Sequence, residues 1–223
     1  MARETGEIKP RRIRGRIQYE LKDINLGRKY FYKILESLEP NYTKTELNSQ
    51  IVDGLIMYAH GYASTISGKE IDPSKAIGMI GNTGSGKTIT MQALEQYMRI
   101  DEVKCIFGER IVPFFPKRFV SLTGLQGIYE SKGYDGLEPF FYGVNLVIDE
   151  IKDEQVVSKH YGNSLNVFST LIEERYSRGG ITCFTSNLNM DQIKEIYNDR
   201  VYSRIMERTN IIELIEKDWR LTK

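Results

Sequence analysis

The sequence predicts a three-layer α/β fold around a mainly parallel sheet of five strands, on three observations. The stretch Gly81 to Thr88 reads GNTGSGKT and fits the pattern G-x-x-x-x-G-K-[ST] at every required position. The run Val144-Asn-Leu-Val-Ile-Asp149-Glu150 is short, apolar and rich in β-formers, and it ends in two acids. Strand-like runs at 75–80, 119–122, 144–150, 181–185 and 210–214 alternate with helical stretches, the pattern of crossover connections between parallel strands.

The whole composition bounds the answer before any element is placed. A chain of 223 residues makes one large domain, or one domain with a short appendage. The formal net charge is +1, from 31 Lys and Arg against 30 Asp and Glu, so overall charge selects no partner. Cys105 and Cys183 stand far apart and fit a reducing compartment. With His60 and His160 as the only histidines, metal-ligand spacing of His and Cys does not occur. No apolar run approaches the ~18 residues of a membrane span. The charged amino terminus has no apolar signal region. The expectation is a soluble, cytoplasmic protein with no membrane partner.

Taken in order, Met1 to Arg16 carries Arg3, Lys9, Arg11, Arg12, Arg14 and Arg16 against Glu4 and Glu7. This basic arm reads either as a solvated tail or as a contact for nucleic-acid phosphate or an acidic partner surface. Phe31, Ile34, Leu35 and Leu38 have helical spacing, and Pro40 ends that helix. It is either part of the core's outer layer or a small docking element. The division expected is an arm and short helix over 1–40, then a core over 41–223.

Thr43-x-x-Glu46 has the form of a capping box, and Leu47, Ile51, Leu55 and Tyr58 continue it as a helix to about His60. His60 is expected as a capping or surface residue. Ser64 to Ser74 reads as a polar connection into the first core strand. Met91, Leu94 and Met98 give the helix after the glycine loop, Lys87 to Arg99, its buried face. Residues 100 to 118 look irregular. Phe119 to Leu122 reads as a strand, Leu125 to Lys132 as a helix capped by Thr123, and Gly133 to Pro139 as a turn region. A helix is expected over Asn163 to Ser177, then a strand, Ile181 to Thr185. Two short helices, Asp191 to Tyr197 and Asp199 to Glu207, lead to the last strand, Asn210 to Leu214.

The glycine loop carries the first chemistry. In the strand–loop–helix context, backbone N–H groups of Gly81, Asn82, Thr83, Gly84, Ser85 and Gly86 cradle phosphates at a positive helix end. Lys87 is placed for the terminal phosphates and the Thr88 hydroxyl for Mg²⁺. Asp149, at the end of the second strand-like run, is placed for the Mg²⁺ shell, and Glu150 for the attacking water. Phosphoryl transfer is mostly positioning and charge stabilisation, so these few groups suffice. Asn187, at the tip of a further strand, can hydrogen-bond the water or the γ-phosphate. The acid at Glu150 favours hydrolysis over a kinase.

From Leu171 to Leu188 the chain reads LIEERYSRGGITCFTSNL and resembles the DnaC/IstB-type AAA+ ATPases, the bacterial helicase loaders and the related transposition helper ATPases. The step Asp199-Arg-Val-Tyr-Ser-Arg-Ile205 and the closing Asp218-Trp-Arg-Leu221 are similar to the same family. The resemblance covers about residues 43 to 223. It implies an AAA+ core with strand order 5-1-4-3-2 and, since only nine residues follow the last strand, no C-terminal helical lid. It implies Asn187 as sensor 1 and Arg204 as an arginine finger acting on a neighbouring subunit, with Arg200 as competitor. It implies ATP and Mg²⁺ as cofactors, and a replicative helicase, single-stranded DNA and further copies of the chain as partners. The stretch before the core is shorter than a loader's usual helicase-docking domain.

The reading is therefore an ATP-hydrolysing helicase loader in DNA replication. The alternatives are a transposition helper ATPase that binds duplex DNA and a transposase, an adaptor that binds ATP but hardly turns it over, and, more distantly, a kinase.

Overall fold

The computed structural model describes residues 24–100, 104–107, 110–113, 118–142, 145–152 and 156–214. The basic arm at 1–16 and the tail after Leu214 lie outside these residues, as do the expectations attached to them.

Five strands form the parallel sheet: β3 (Ala76–Gly81), β6 (Arg118–Ser121), β7 (Asn145–Ile151), β10 (Ile181–Ser186) and β11 (Thr209–Leu214). Their order across the sheet is β11-β3-β10-β7-β6. Numbered along the chain within the sheet, that is the expected 5-1-4-3-2. Every pairing in the sheet is parallel. The central strands are apolar because both faces are covered; β3 is buried from Ala76 to Ile80.

Among the described residues, three helices cover each face. On one lie α1 (Ile24–Leu38), α2 (Glu46–Ala59) and α3 (Lys87–Tyr97), sharing a cluster with Ile77, Met79 and Val147. On the other lie α4 (Leu122–Phe141), α5 (Val167–Ser177) and α6 (Met190–Arg208), packed on Ile80, Leu146, Ile148 and Phe184.

Helix α1 belongs to the outer layer. Phe31 and Leu35 are fully buried, and the Phe31 ring lies 5.4 Å from that of Tyr97 on α3. Arg28 binds Asp53 of α2 through two hydrogen bonds of 2.6 and 2.7 Å. The docking-element alternative is set aside for this face of the helix.

Several local expectations are corrected. The cap of α2 is Thr45, not Thr43: its side chain accepts from Asn48 N–H, and Asn48 Oδ1 accepts from Thr45 N–H at 2.7 Å. Thr43 instead offers its carbonyl to Asn48 Nδ2. His60 caps the end of α2 but is buried, with Nε2 2.9 Å from Tyr97 Oη. The connection at 64–74 contains a hairpin, β1 (Ser64–Ile66) with β2 (Lys69–Ile71), and residues 104–113 contain another, β4 (Lys104–Phe107) with β5 (Arg110–Pro113).

Helix α4 is capped by Ser121 rather than Thr123 and does not end at Lys132. It kinks at Gly133 (φ 67°, ψ −157°) and resumes. A Cβ at Gly133 would stand 2.8 Å from the His160 ring, so a side chain here is excluded twice, by backbone and by space. His160 comes from a third hairpin, β8 (Ser158–His160) with β9 (Asn163–Leu165), so the helix expected from Asn163 starts only at Val167. The Tyr161-Gly162 turn, both residues at positive φ, closes that hairpin. The two helices after residue 190 form one span kinked at Asn198 (φ 75°).

Candidate functional site

The phosphate loop joins β3 to α3 at the carboxyl end of the sheet. Gly81, Gly84 and Gly86 all adopt positive φ, turning the loop so that its amides can line one concave face. Gly81 is required for a second reason. A Cβ there would lie 2.1 Å from the Leu214 carbonyl oxygen of the paired strand β11. Gly86 forms the amino-terminal cap of α3 without a side-chain bond, leaving the first helical N–H groups for a ligand.

Lys87 folds back over the loop. Its Nζ donates to the Gly81 and Asn82 carbonyls at 2.8 and 2.7 Å. The Thr88 hydroxyl donates to Asp149 Oδ1 at 2.9 Å, joining α3 to the end of β7. A hydroxyl and a carboxylate brought together beside a phosphate loop form a donor set of hard oxygens that suits Mg²⁺. Glu150 follows at φ 59°, its carboxylate 3.3 Å from Lys152 Nζ and half exposed.

A cavity of about 230 Å³ gathers these groups. Its walls include Thr83, Gly84, Gly86, Lys87, Thr88, Glu150 and Asn187. Asn187, one residue past β10, is exposed to it. Asp149 is buried behind Thr88. The residues singled out in the sequence for phosphate, metal and water thus converge on one place, from three separate segments of chain. Two wall residues carried no recognised signal. Glu39 reaches the cavity from just beyond α1. Thr185 donates to Asp149 Oδ1 at 2.5 Å and accepts from Glu150 N–H at 3.0 Å.

Arg204 lies elsewhere. With Tyr176, Arg208, Ala76, Ile181, Thr182 and Thr209 it lines a small pocket at the amino ends of β3, β10 and β11. The length of β3, at ~3.3 Å per residue, keeps it roughly 17 Å or more from its own phosphate loop. Its side chain is 16% exposed, with Nη1 3.6 Å from Glu173 Oε1. Arg200 shares that same Glu173 oxygen at 3.5 Å but is 68% exposed.

Arg175 is the largest fully buried side chain among the described residues. It donates to Thr182 Oγ1, Phe140 O and Ile181 O, tying α5 to the end of α4 and the start of β10. Burial lowers its pKa from 12.5 to about 10. At neutral pH it is still a cation, and its role is structural.

Comparison with solved structures finds the same fold in proteins of DNA replication. The structure of the DnaC helicase loader is similar with a TM-score of 0.56 at 16% identity, covering 83% of this chain and 99% of that one. Domain III of the replication initiation protein DnaA from Thermotoga maritima matches with a TM-score of 0.50 at 15% identity, over 81% of this chain and 68% of that one. AMPPCP-bound DnaA from Aquifex aeolicus gives 0.50 at 14% identity, over 78% of this chain and 49% of that one. Neither a protein-family model nor a curated protein sequence matches the chain.

The fold is thus that of a phosphate loop on a parallel five-stranded sheet, shared with the DnaC helicase loader and with DnaA domain III. Within it, the chain is similar to the DnaC type. No helix among the described residues is long and apolar enough to cross a membrane.

Proposed function

We propose that the protein is an ATP-hydrolysing helicase loader, which binds a replicative helicase and single-stranded DNA. The observation that carries the ATPase part is the meeting of Thr88 with Asp149 beneath the phosphate loop, with Glu150 turned into the same cavity. The loader part is supported by a fold shared over nearly the whole length of the DnaC helicase loader.

On ATP binding, Lys87 leaves the Gly81 and Asn82 carbonyls and donates to the β- and γ-phosphate oxygens. The loop amides take the remaining phosphate charge. Thr88 and Asp149 are the residues that hold Mg²⁺, which when bound neutralises charge on the phosphates. Glu150 accepts the proton of a water as that water's oxygen bonds to the γ-phosphorus and the bond to the β,γ-bridging oxygen breaks. Asn187 hydrogen-bonds the water or a γ-oxygen and keeps the two in line.

Arg204 sits at the wrong end of the sheet to serve its own nucleotide. It serves instead a neighbouring copy's, once it leaves Tyr176 and Glu173. Hydrolysis would then report assembly, and an arginine finger accounts for ~10³ to 10⁵ in rate.

A pull-down from the source cell, with mass measurement in ATP and in ADP, tests the reading. Recovery of a hexameric helicase is expected. Recovery of a transposase, with preference for duplex DNA, would replace the loader reading with the transposition one.

A further inference from the structure

Strand β7 carries one residue more than its neighbour at the wall of the cavity. Phe184 pairs with Ile148 and Ser186 with Ile151, so two steps along β10 match three along β7. Asp149 and Glu150 therefore share the place opposite Thr185. Such bulges are rare between parallel strands, and they re-aim side chains. Glu150 takes a φ of 59°, in a region that residues with side chains seldom use.

The alternation of side chains along β7 shows what the extra residue does. Val147 faces the α1–α3 cluster, whereas Leu146 and Ile148 face the α4–α6 cluster. Strict alternation would put Glu150 with Leu146 and Ile148, among apolar side chains. In the structure Ile151 takes that place and is fully buried, and Glu150 is thrown out to the cavity. The bulge thus keeps a carboxylate from burial in an apolar cluster, which would be costly.

The amide at the bulge is held by a side chain. Glu150 N–H donates to Thr185 Oγ1 at 3.0 Å, and that hydroxyl donates to Asp149 Oδ1 at 2.5 Å. A hydroxyl has one proton, so the direction of both bonds is fixed: proton to the carboxylate, lone pair to the amide. Thr185 is 1% exposed, so water does not substitute readily for either bond. Asp149 Oδ1 also receives the Thr88 hydroxyl.

We infer that Thr185 is a positioning residue for the hydrolytic reaction. Its hydroxyl pins the bulge that aims Glu150 into the cavity and, through the same oxygen, orients the Asp149 carboxylate toward Thr88. The inference rests on the reading of Glu150 as the group that takes the water's proton. No group on Thr185 needs to touch ATP.

The test uses Thr185→Val, which keeps the shape and removes the hydroxyl, and Thr185→Ser, which keeps the hydroxyl. Thr185→Ala serves as a second hydroxyl-free variant where valine disturbs folding. In the nucleotide-free protein, exchange of the Glu150 amide proton should be faster in the valine or alanine variant and unchanged in the serine variant. For turnover, kcat should fall roughly 10- to 100-fold without the hydroxyl, as for other residues that orient a metal ligand, with KM and ADP affinity moved by no more than about threefold. Thr185→Ser should restore kcat.

Full kcat in a folded hydroxyl-free variant overturns the inference. So does an unchanged Glu150 amide, or a serine variant as slow as the valine one. If Glu150→Gln turns over like the wild type, the underlying reading of Glu150 fails instead. That case is recognised because the loss of amide protection in Thr185→Val would persist without any catalytic meaning.

Discussion

The guanidinium of Arg204 lies 4.9 Å from the centre of the Tyr176 ring, and that ring also carries Arg208 at 4.8 Å. The Tyr176 hydroxyl donates to Glu207 at 2.6 Å, which locks the ring between α5 and α6. Arg204 is thus held at the end of the sheet opposite the phosphate loop. Arg204→Ala should lower turnover at least ~10³-fold if the arginine acts on a neighbour. The measurement is a mixing experiment. Lys87→Ala subunits lack a phosphate site but keep the arginine, and Arg204→Ala subunits are the reverse. Their mixture should recover turnover that neither shows alone. Loss of turnover in Arg200→Ala rather than Arg204→Ala would move the role to Arg200.

Lys87→Ala should abolish tight ATP binding. Among the described residues the ammonium is the one side-chain cation that lines the cavity, and its loss leaves the terminal phosphate charge to the amides there. Titration with a fluorescent ATP analogue checks this. Unchanged affinity would remove the site assignment.

Phe31→Ala should destabilise the whole protein by about 3–5 kcal/mol, because Phe31 is fully buried against Tyr97. Urea unfolding measures it. A loss under ~1 kcal/mol, within the range of a surface change, would mean that α1 is not part of the outer layer.

His60 should make stability depend on pH. Burial lowers its folded-state pKa below 6.5. The unfolded chain therefore binds the proton first as pH falls. The stabilising contribution is complete above ~6.5 and is lost below it, with a slope of at most ~1.4 kcal/mol per pH unit for one proton. Melting temperatures of wild type and His60→Gln from pH 8 to 5 should diverge at the alkaline end and converge on acidification. Parallel curves would contradict this.

The sequence made the three central strands, β3, β7 and β10, legible because each is an apolar run covered on both faces. The phosphate-loop residues were legible for a different reason: a local motif fixes the backbone of a strand, turn and helix together. Errors fell where two local signals compete. Thr43 and Thr45 both fit a cap, and the partner Asn48 decided for Thr45. Gly133 looked like the end of a helix, but the chain only kinks there to admit His160 from a distant hairpin. The helix expected from Asn163 starts later because Asn163–Leu165 pairs with Ser158–His160 across the Tyr161-Gly162 turn, a pairing that local periodicity does not show. Thr185 was invisible for a deeper reason. Its role depends on the register of β10 against β7, and no single segment carries that information.

The most direct test of the account is ATP turnover by Glu150→Gln beside the wild type, with and without single-stranded DNA, together with ATP affinity. The change keeps shape and hydrogen-bonding capacity but removes the carboxylate that takes the water's proton. The predicted result is ATP affinity within about threefold of wild type with kcat lowered ~10²- to 10⁴-fold. Equal turnover by the two proteins would contradict a hydrolytic site at Glu150 and leave a nucleotide-binding adaptor in its place.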